Sequence, residues 1–380
     1  LSVTISHFCM GELPRRIFII SALALALSGC VSRPGTEVLK PVVLRTTPAQ
    51  TVDVLAVTNR VFEPKDNSFG NRWGNDVQYD RFVFSVPPDR KDISIAYPSA
   101  KPDPKQQYIV TKRERLTLDS LVKDATHSTR FDGTVSVFVH GYNYSYQEAL
   151  YRTAQMAADA TAIGSPIMFS WPSAASVTGY VADRDAVLYS RSQLNALLQA
   201  IAKAPKVKRI VLFGHSMGGF LSMEAARQLR LEGQGNVLSK LQIVLAAPDI
   251  DADVFKSQLA DIGHIPTPVT LLVSNSDSAL KISSFVGGER PRVGMLDIND
   301  PLIQQTAKEE RLTVIDISSL KSSDGLGHDR YAALAQFSGD LADAERRMQT
   351  KGTNIGAFVF DAAGAVVSSP FRLAGDIARR

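Results

Sequence analysis

The 380-residue sequence holds only two cysteines, Cys9 and Cys30, which leaves no material for a disulfide framework or a cysteine-based metal cluster. The metal-binding H-E-x-x-H and phosphate-binding G-x-x-x-x-G-K-[ST] patterns are both missing, so neither a metal nor another cofactor is expected. Net charge is a modest +4; basic residues are scattered and no aromatic-interleaved basic stripe occurs, so no nucleic-acid partner is expected. The apolar run Ile17 to Leu27 spans eleven residues, too few to cross the hydrocarbon of a bilayer. No internal repeat is evident. What remains, with 44% hydrophobic and 21% charged residues, is ordinary globular material, enough for one large α/β domain or two small ones.

The start of the chain reads as a secretory signal. Pro14-Arg15-Arg16 precedes the apolar run, and small residues follow it in Leu27-Ser28-Gly29-Cys30, the order of a basic region, an apolar region and a cleavage site. The ending resembles the bacterial lipoprotein signal, which implies that Cys30 is lipidated and anchors the protein to a membrane. Val31, where an aspartate would retain such proteins, implies by the same resemblance the outer membrane, facing the periplasm. Residue 1 is not methionine, and Met10 is the expected start of translation. Residues 1–30 are thus read as signal peptide, 31–50 as a flexible tether rich in proline and threonine, 51–350 as the main domain, and 351–380 as an extension of unknown role.

Strand-like composition at Val52 to Val57, Arg81 to Val86 and Asp92 to Ala96, separated by the polar stretch Asn67 to Asp76, suggests a partly antiparallel leading edge. Thereafter short apolar strands (135–139, 167–169, 209–213, 241–246, 269–273, 312–317) alternate with helical patterns (146–161, 183–203, 217–231 and from about 331). Continuous apolar strands between amphipathic helices predict a mostly parallel, twisted sheet covered by helices on both faces. The stripe Val187, Leu188, Arg191, Leu194, Leu197, Leu198 and Ile201 recurs at three and four residues and is read as core packing.

The chemistry centres on Gly214-His215-Ser216-Met217-Gly218. A buried-type strand runs into this G-x-S-x-G and a helical pattern leaves it, the strand-turn-helix setting of a nucleophile elbow. A serine hydroxyl needs a base, and the base needs an orienting group. In hydrolases of this kind they follow the serine in the order acid, then histidine. His328, in the glycine-bearing loop after the last strand, alone fits that order. Asp277, after the strand ending at Val273, is preferred as the acid over Asp249, Asp251 and Asp253, of which Asp249 or Asp251 could instead cap a helix starting near Asp253. An oxyanion needs two preorganised donors, for which the backbone N–H groups of Met217 and Tyr142 are the candidates. Tyr142 follows Gly141 in His140-Gly-Tyr-Asn143, which resembles the H-G oxyanion motif of lipases and esterases. His140, Asn143, Trp171 and His215 are candidate pocket-lining residues, with Trp171 equally read as packing the rim and His140 chiefly as a buried residue that fixes the loop.

Together, His140 to Asn143, Phe169-Ser-Trp-Pro-Ser173, Gly214 to Gly218, Ala247-Pro-Asp-Ile-Asp251 and Ser274 to Leu280 resemble an uncharacterised family of bacterial α/β-hydrolases, esterase-like, over roughly residues 130 to 335. The resemblance implies the α/β-hydrolase fold and a triad of Ser216, Asp277 and His328, and no particular substrate. The expected function is hydrolysis of a small-molecule or lipid carboxylic ester through an acyl-enzyme, with thioesterase, lipase and acyltransferase chemistry as variants. A non-catalytic envelope lipoprotein that uses the fold for binding or scaffolding is the alternative from another class.

Overall fold

A computed structural model describes residues 33–90, 93–160, 164–334 and, as backbone, 358–361. The signal region and Cys30 lie outside the described residues. Among the described residues ten strands form one sheet: β1 (Gln50–Glu63), β2 (Ser68–Val86), β3 (Ile109–Leu116), β4 (Thr134–Val139), β5 (Ser165–Ser170), β6 (Arg209–His215), β7 (Leu241–Ala246), β8 (Thr270–Val273), β9 (Thr313–Asp316) and β10 (Phe358–Asp361). Their order across the sheet is β10-β9-β8-β7-β6-β4-β5-β1-β2-β3. From β1 to β10 all neighbours are parallel; only β1/β2 and β2/β3 are antiparallel.

The principal helices are α1 (Leu118–His127), α2 (Tyr146–Asp159), α3 (Tyr180–Lys203), α4 (Met217–Leu231), α5 (Ala252–Ile262), α6 (Ser278–Val286), α7 (Pro301–Glu309) and the turn α8 (Tyr331–Leu334). The two-residue period of a strand divides them between the faces. Val135, Val137 and Val139 of β4 join one core with residues of α1, α3, α4 and α5, whereas Phe138 turns to the other face, against Tyr331 and Leu334 of α8. Helix α2 covers β1, β2 and β5 on that second face through Tyr146, Ala149, Leu150 and Ala154. All six residues of β4 and of β5 are buried, as a sheet covered on both sides requires. In α3 the expected stripe is core at Val187, Leu194, Leu197, Leu198 and Ile201, while Leu188 stands exposed.

Three expectations are corrected. The stretch Asn67 to Asp76 does not separate strands but lies largely within β2, where register shifts opposite Thr58 to Phe62 absorb its glycines and asparagines in a bulged hairpin. Ile93 to Ala96 carries no strand; the third strand is Ile109–Leu116. Nor is the tether free along its whole length. Val38 and Leu39 are buried, the Val38 carbonyl accepts from the Tyr151 hydroxyl at 2.6 Å, and Val42 N–H donates to Val110, so this segment packs on the domain. Within the C-terminal extension, β10 continues the sheet beside β9.

Candidate active site

Because parallel strands all end at one edge, the loops after β4, β5, β6, β7, β8 and β9 converge there. Ser216 sits between β6 and α4 with φ 53° and ψ −120°, a region an L-residue occupies only when its surroundings hold it. They do: Ser216 N–H donates to Ala246, and its carbonyl accepts from Gly219 and Asp249. The flanking glycines have distinct tasks. A Cβ at Gly214 would lie 2.7 Å from the Gly218 carbonyl, across the turn, whereas one at Gly218 would lie 2.3 Å from the carbonyl of Val139, where α4 meets the end of β4.

Asp277 and His328, fifty-one residues apart, meet. His328 Nδ1–H donates to Asp277 Oδ2 at 2.7 Å, while Oδ1 of the same carboxylate accepts from Leu280 N–H as the N-cap of α6. One oxygen thus fixes the carboxylate by capping and the other orients the imidazole. Burial works against a charged imidazole, but the Asp277 carboxylate prevails and raises the His328 pKa. Asp249 takes a different place, accepting from the Tyr180 and Ser283 hydroxyls and pairing with Arg292 at 3.3 Å. Asp251 caps α5 through Asp253 and Val254 N–H and pairs with Arg290; Asp253 is exposed and pairs with the same arginine.

The His328 loop reaches the elbow through the residue preceding the serine. His215 Nε2–H donates to the His328 carbonyl at 3.2 Å, and the two rings lie 4.7 Å apart. Burial, followed by the neighbouring His328 charge, holds the His215 pKa well below the usual value, so it is neutral, with Nδ1 buried and unpartnered. Among the described residues no hydrogen bond joins Ser216 Oγ to the His328 ring; in free enzymes this contact commonly closes only around substrate.

The 141–144 loop passes directly over the nucleophile. A Cβ at Gly141 would stand 2.9 Å from Ser216 Cβ and 2.9 Å from His215 Nδ1, so glycine is what lets backbone approach there. Met217, first residue of α4, has an N–H without an intrahelical acceptor. Tyr142 is half-buried, its hydroxyl donates to the Val177 carbonyl, and its ring meets Tyr180 edge-on. Asn143 holds φ 62° and donates its N–H to Asp183.

Two candidate pocket residues are instead foundations. His140 and Trp171 have no exposed surface and stack at 4.9 Å and 15°. Trp171 Nε1–H donates to the His140 carbonyl, and His140 Nδ1–H to Gly141. Burial, then the nearby Arg60 charge, pushes the His140 pKa down to about 3, which leaves a neutral structural imidazole. His215 is likewise buried, at 2% exposure.

Sequence reasoning missed three charged groups that hold these loops. Arg60, on β1 and buried, donates to Ser170 Oγ, to the carbonyls of Gly70 and Ser173, and to the carbonyl of Tyr144 in the 141–144 loop. Burial lowers its pKa to about 10, with Asp183 pulling the other way, so it stays charged at neutral pH. Asp183, in the first turn of α3, accepts from Ser173 Oγ and from Ala174 and Asn143 N–H. Arg152 of α2 pairs at 3.1 Å with Asp329, next to His328, and Asp329 also accepts from Ser322 and Ser323. The residue types were visible; only the fold shows that Arg60 finds Tyr144 84 positions away, Asp183 finds Asn143 40 away and Arg152 finds Asp329 177 away.

An elbow serine at the carboxyl edge of a mostly parallel sheet, with an oriented Asp–His pair beside it, defines an α/β-hydrolase fold with a hydrolase-type site. Residues 119–344 match the family described as alpha/beta hydrolase of unknown function (DUF900), more than half of the chain, and the protein belongs to that family. No curated protein matches it. Solved structures with local likeness include a putative hydrolase from Agrobacterium vitis S4 (14% identity, 58% of this chain and 82% of that one, TM-score 0.30). Others are a predicted CIB-like hydrolase from Thermoplasma acidophilum (17%, 62% and 91%, 0.33) and an esterase from the fungus Rhizomucor miehei (13%, 92% and 94%, 0.32). At these scores the likenesses carry no weight, and the assignment rests on the family match.

Proposed function

We propose that the protein is a serine hydrolase of carboxylic esters. Ser216 attacks the ester carbonyl as His328 takes its proton, Asp277 stabilises the imidazolium, and the N–H groups of Met217 and Tyr142 receive the oxyanion. His328 then protonates the departing alcohol, and water, activated by the same imidazole, releases the acid. The single observation that carries this reading is the Asp277–His328 hydrogen bond packed against the residue preceding an elbow serine. A non-catalytic scaffold gives no reason for a histidine from a distant loop to be aligned by a buried carboxylate at that point. The test is labelling by a fluorophosphonate probe: folded wild type should be modified at Ser216 and Ser216→Ala should not. Folded protein that resists labelling and leaves short p-nitrophenyl esters intact would favour the scaffold. We further infer that Cys30 is lipidated and tethers the enzyme to the outer membrane, supported by Leu27 to Cys30. Metabolic palmitate labelling that persists in Cys30→Ser would overturn this.

A further inference from the structure

The nucleophile helix α4 packs between α3 and α5, and above it, between the first turns of those two helices and the end of α6, lies a cleft of about 580 Å³. That volume lies within the roughly 300–1,000 Å³ of small-molecule sites. Tyr180, Val181, Arg184, Val254 and Val286 are among the residues that line it. It lies close to the chemistry: the Tyr180 ring meets Tyr142 edge-on at 5.4 Å, its hydroxyl donates to Asp249, whose N–H donates to Ser216, and Arg184 lies over Phe220, one turn into α4.

The polar groups of the cleft are largely spent on one another. Arg290 pairs with Asp251 and Asp253, Arg292 with Asp249, and the Tyr180 hydroxyl lies between Asp249 and Ser283. The apolar groups have no such partners: Val181, Val254 and Val286, which line the cleft, are between 38% and 69% exposed. A ligand there gains chiefly by covering valine surface, at about 25 cal/mol per Å², and both carboxylates of the lining already have a cationic partner.

We propose that this cleft is the subsite for a fatty acyl chain, which makes the substrate class esters of medium-chain or longer fatty acids. The inference rests on the ester-hydrolase reading, and its test separates the two. Wild type and Val181→Gln/Val286→Gln, both changes at exposed positions, are compared on p-nitrophenyl acetate and decanoate, and decanoate binding is measured by calorimetry on Ser216→Ala with and without the two glutamines. The expected results are a fall of at least ten-fold in the decanoate-to-acetate ratio of kcat/KM, and saturable decanoate binding weakened by a similar factor. A ratio and an affinity both unchanged by the glutamines, or no saturable binding to Ser216→Ala, would overturn the acyl subsite even where the probe labels Ser216. Failure of labelling with decanoate binding intact would overturn the hydrolase reading and leave the subsite standing.

Discussion

The parallel half of the sheet, β4 to β9, and the antiparallel edge, β1 to β3, contribute to the site in opposite ways. Each parallel strand ends at the same edge and delivers a loop there, so the candidate nucleophile, acid, base and oxyanion donors come from β6, β8, β9 and β4. The antiparallel edge, which lies before the matched family region, delivers no loop of that kind. It delivers side chains instead, chiefly Arg60, which ties the carbonyls of Gly70, Tyr144 and Ser173 together. Chemistry therefore resides in one half and the rigidity of one of its loops is drawn from the other. The family match begins at residue 119, yet a loop within it is tied to residue 60.

The sharpest break would fall in the parallel half. Ser216→Ala should lower ester turnover by roughly four to six orders of magnitude with the melting temperature nearly unchanged. Asp277→Asn should cost about 10⁴ in kcat, since an amide presents the wrong hydrogen-bonding pattern to the imidazole. Asp249→Asn should leave kcat within ten-fold and instead lower stability by about 3–5 kcal/mol, because it leaves the Arg292 charge buried without its partner. The reverse ranking in kcat would exchange the roles of the two carboxylates.

Arg60→Met tests the other half. It removes a buried charge but abandons at least four acceptors, so we expect a loss of about 3 kcal/mol or more in urea unfolding. A fall in kcat that exceeds any rise in KM should accompany it, with partial recovery in Arg60→Lys. Wild-type kcat in the methionine variant would reduce the antiparallel edge to mere cover.

The smallest effect is one of pH. His140 and His215 have folded pKa values below the unfolded value of about 6.5, so unfolding takes up protons once the pH drops under that value. Their neutral burial is fully tolerated above pH 6.5, and each contributes a loss of about 1.4 kcal/mol per pH unit below it; for His140 this continues to about pH 3. His328, whose pKa is raised, acts in the opposite sense. The stability it adds is complete below its unfolded pKa and fades as pH rises through its folded one. Urea unfolding between pH 6 and 5 should therefore show a slope shallower by about 1.4 kcal/mol per unit in His140→Phe than in wild type. An equal slope would mean that His140 is charged in the folded protein.

Much of this was legible in the chain. Periodicity placed α4 at Met217–Leu231 and β7 at Leu241–Ala246, and the spacing around Ser216 showed an elbow, because local sterics and a two- or three-to-four-residue repeat are written in neighbouring residues. The hairpin of β1 and β2 is hard to read locally since bulges let glycine and asparagine sit inside a strand, and the strand at Ile109 carries little signal because β3 holds the charged run Lys112 to Arg115 on a sheet edge. Trp171 reads equally as pocket wall or packing residue, because the residue type alone does not say what covers it; the fold buries it entirely.

The sequence by itself determined the order of the elements and the spacing of the elbow, since these are written in near neighbours, and the alternation of strand and helix patterns pointed to a parallel sheet. The tertiary structure alone decided that Asp277 both caps a helix and meets His328, that His215 carries the histidine loop, and that Arg60, Asp183 and Arg152 brace the loops around them. A charged side chain leaves no trace in the sequence of which distant carbonyl or carboxylate it will find, because that partner is fixed only when the chain has folded around it.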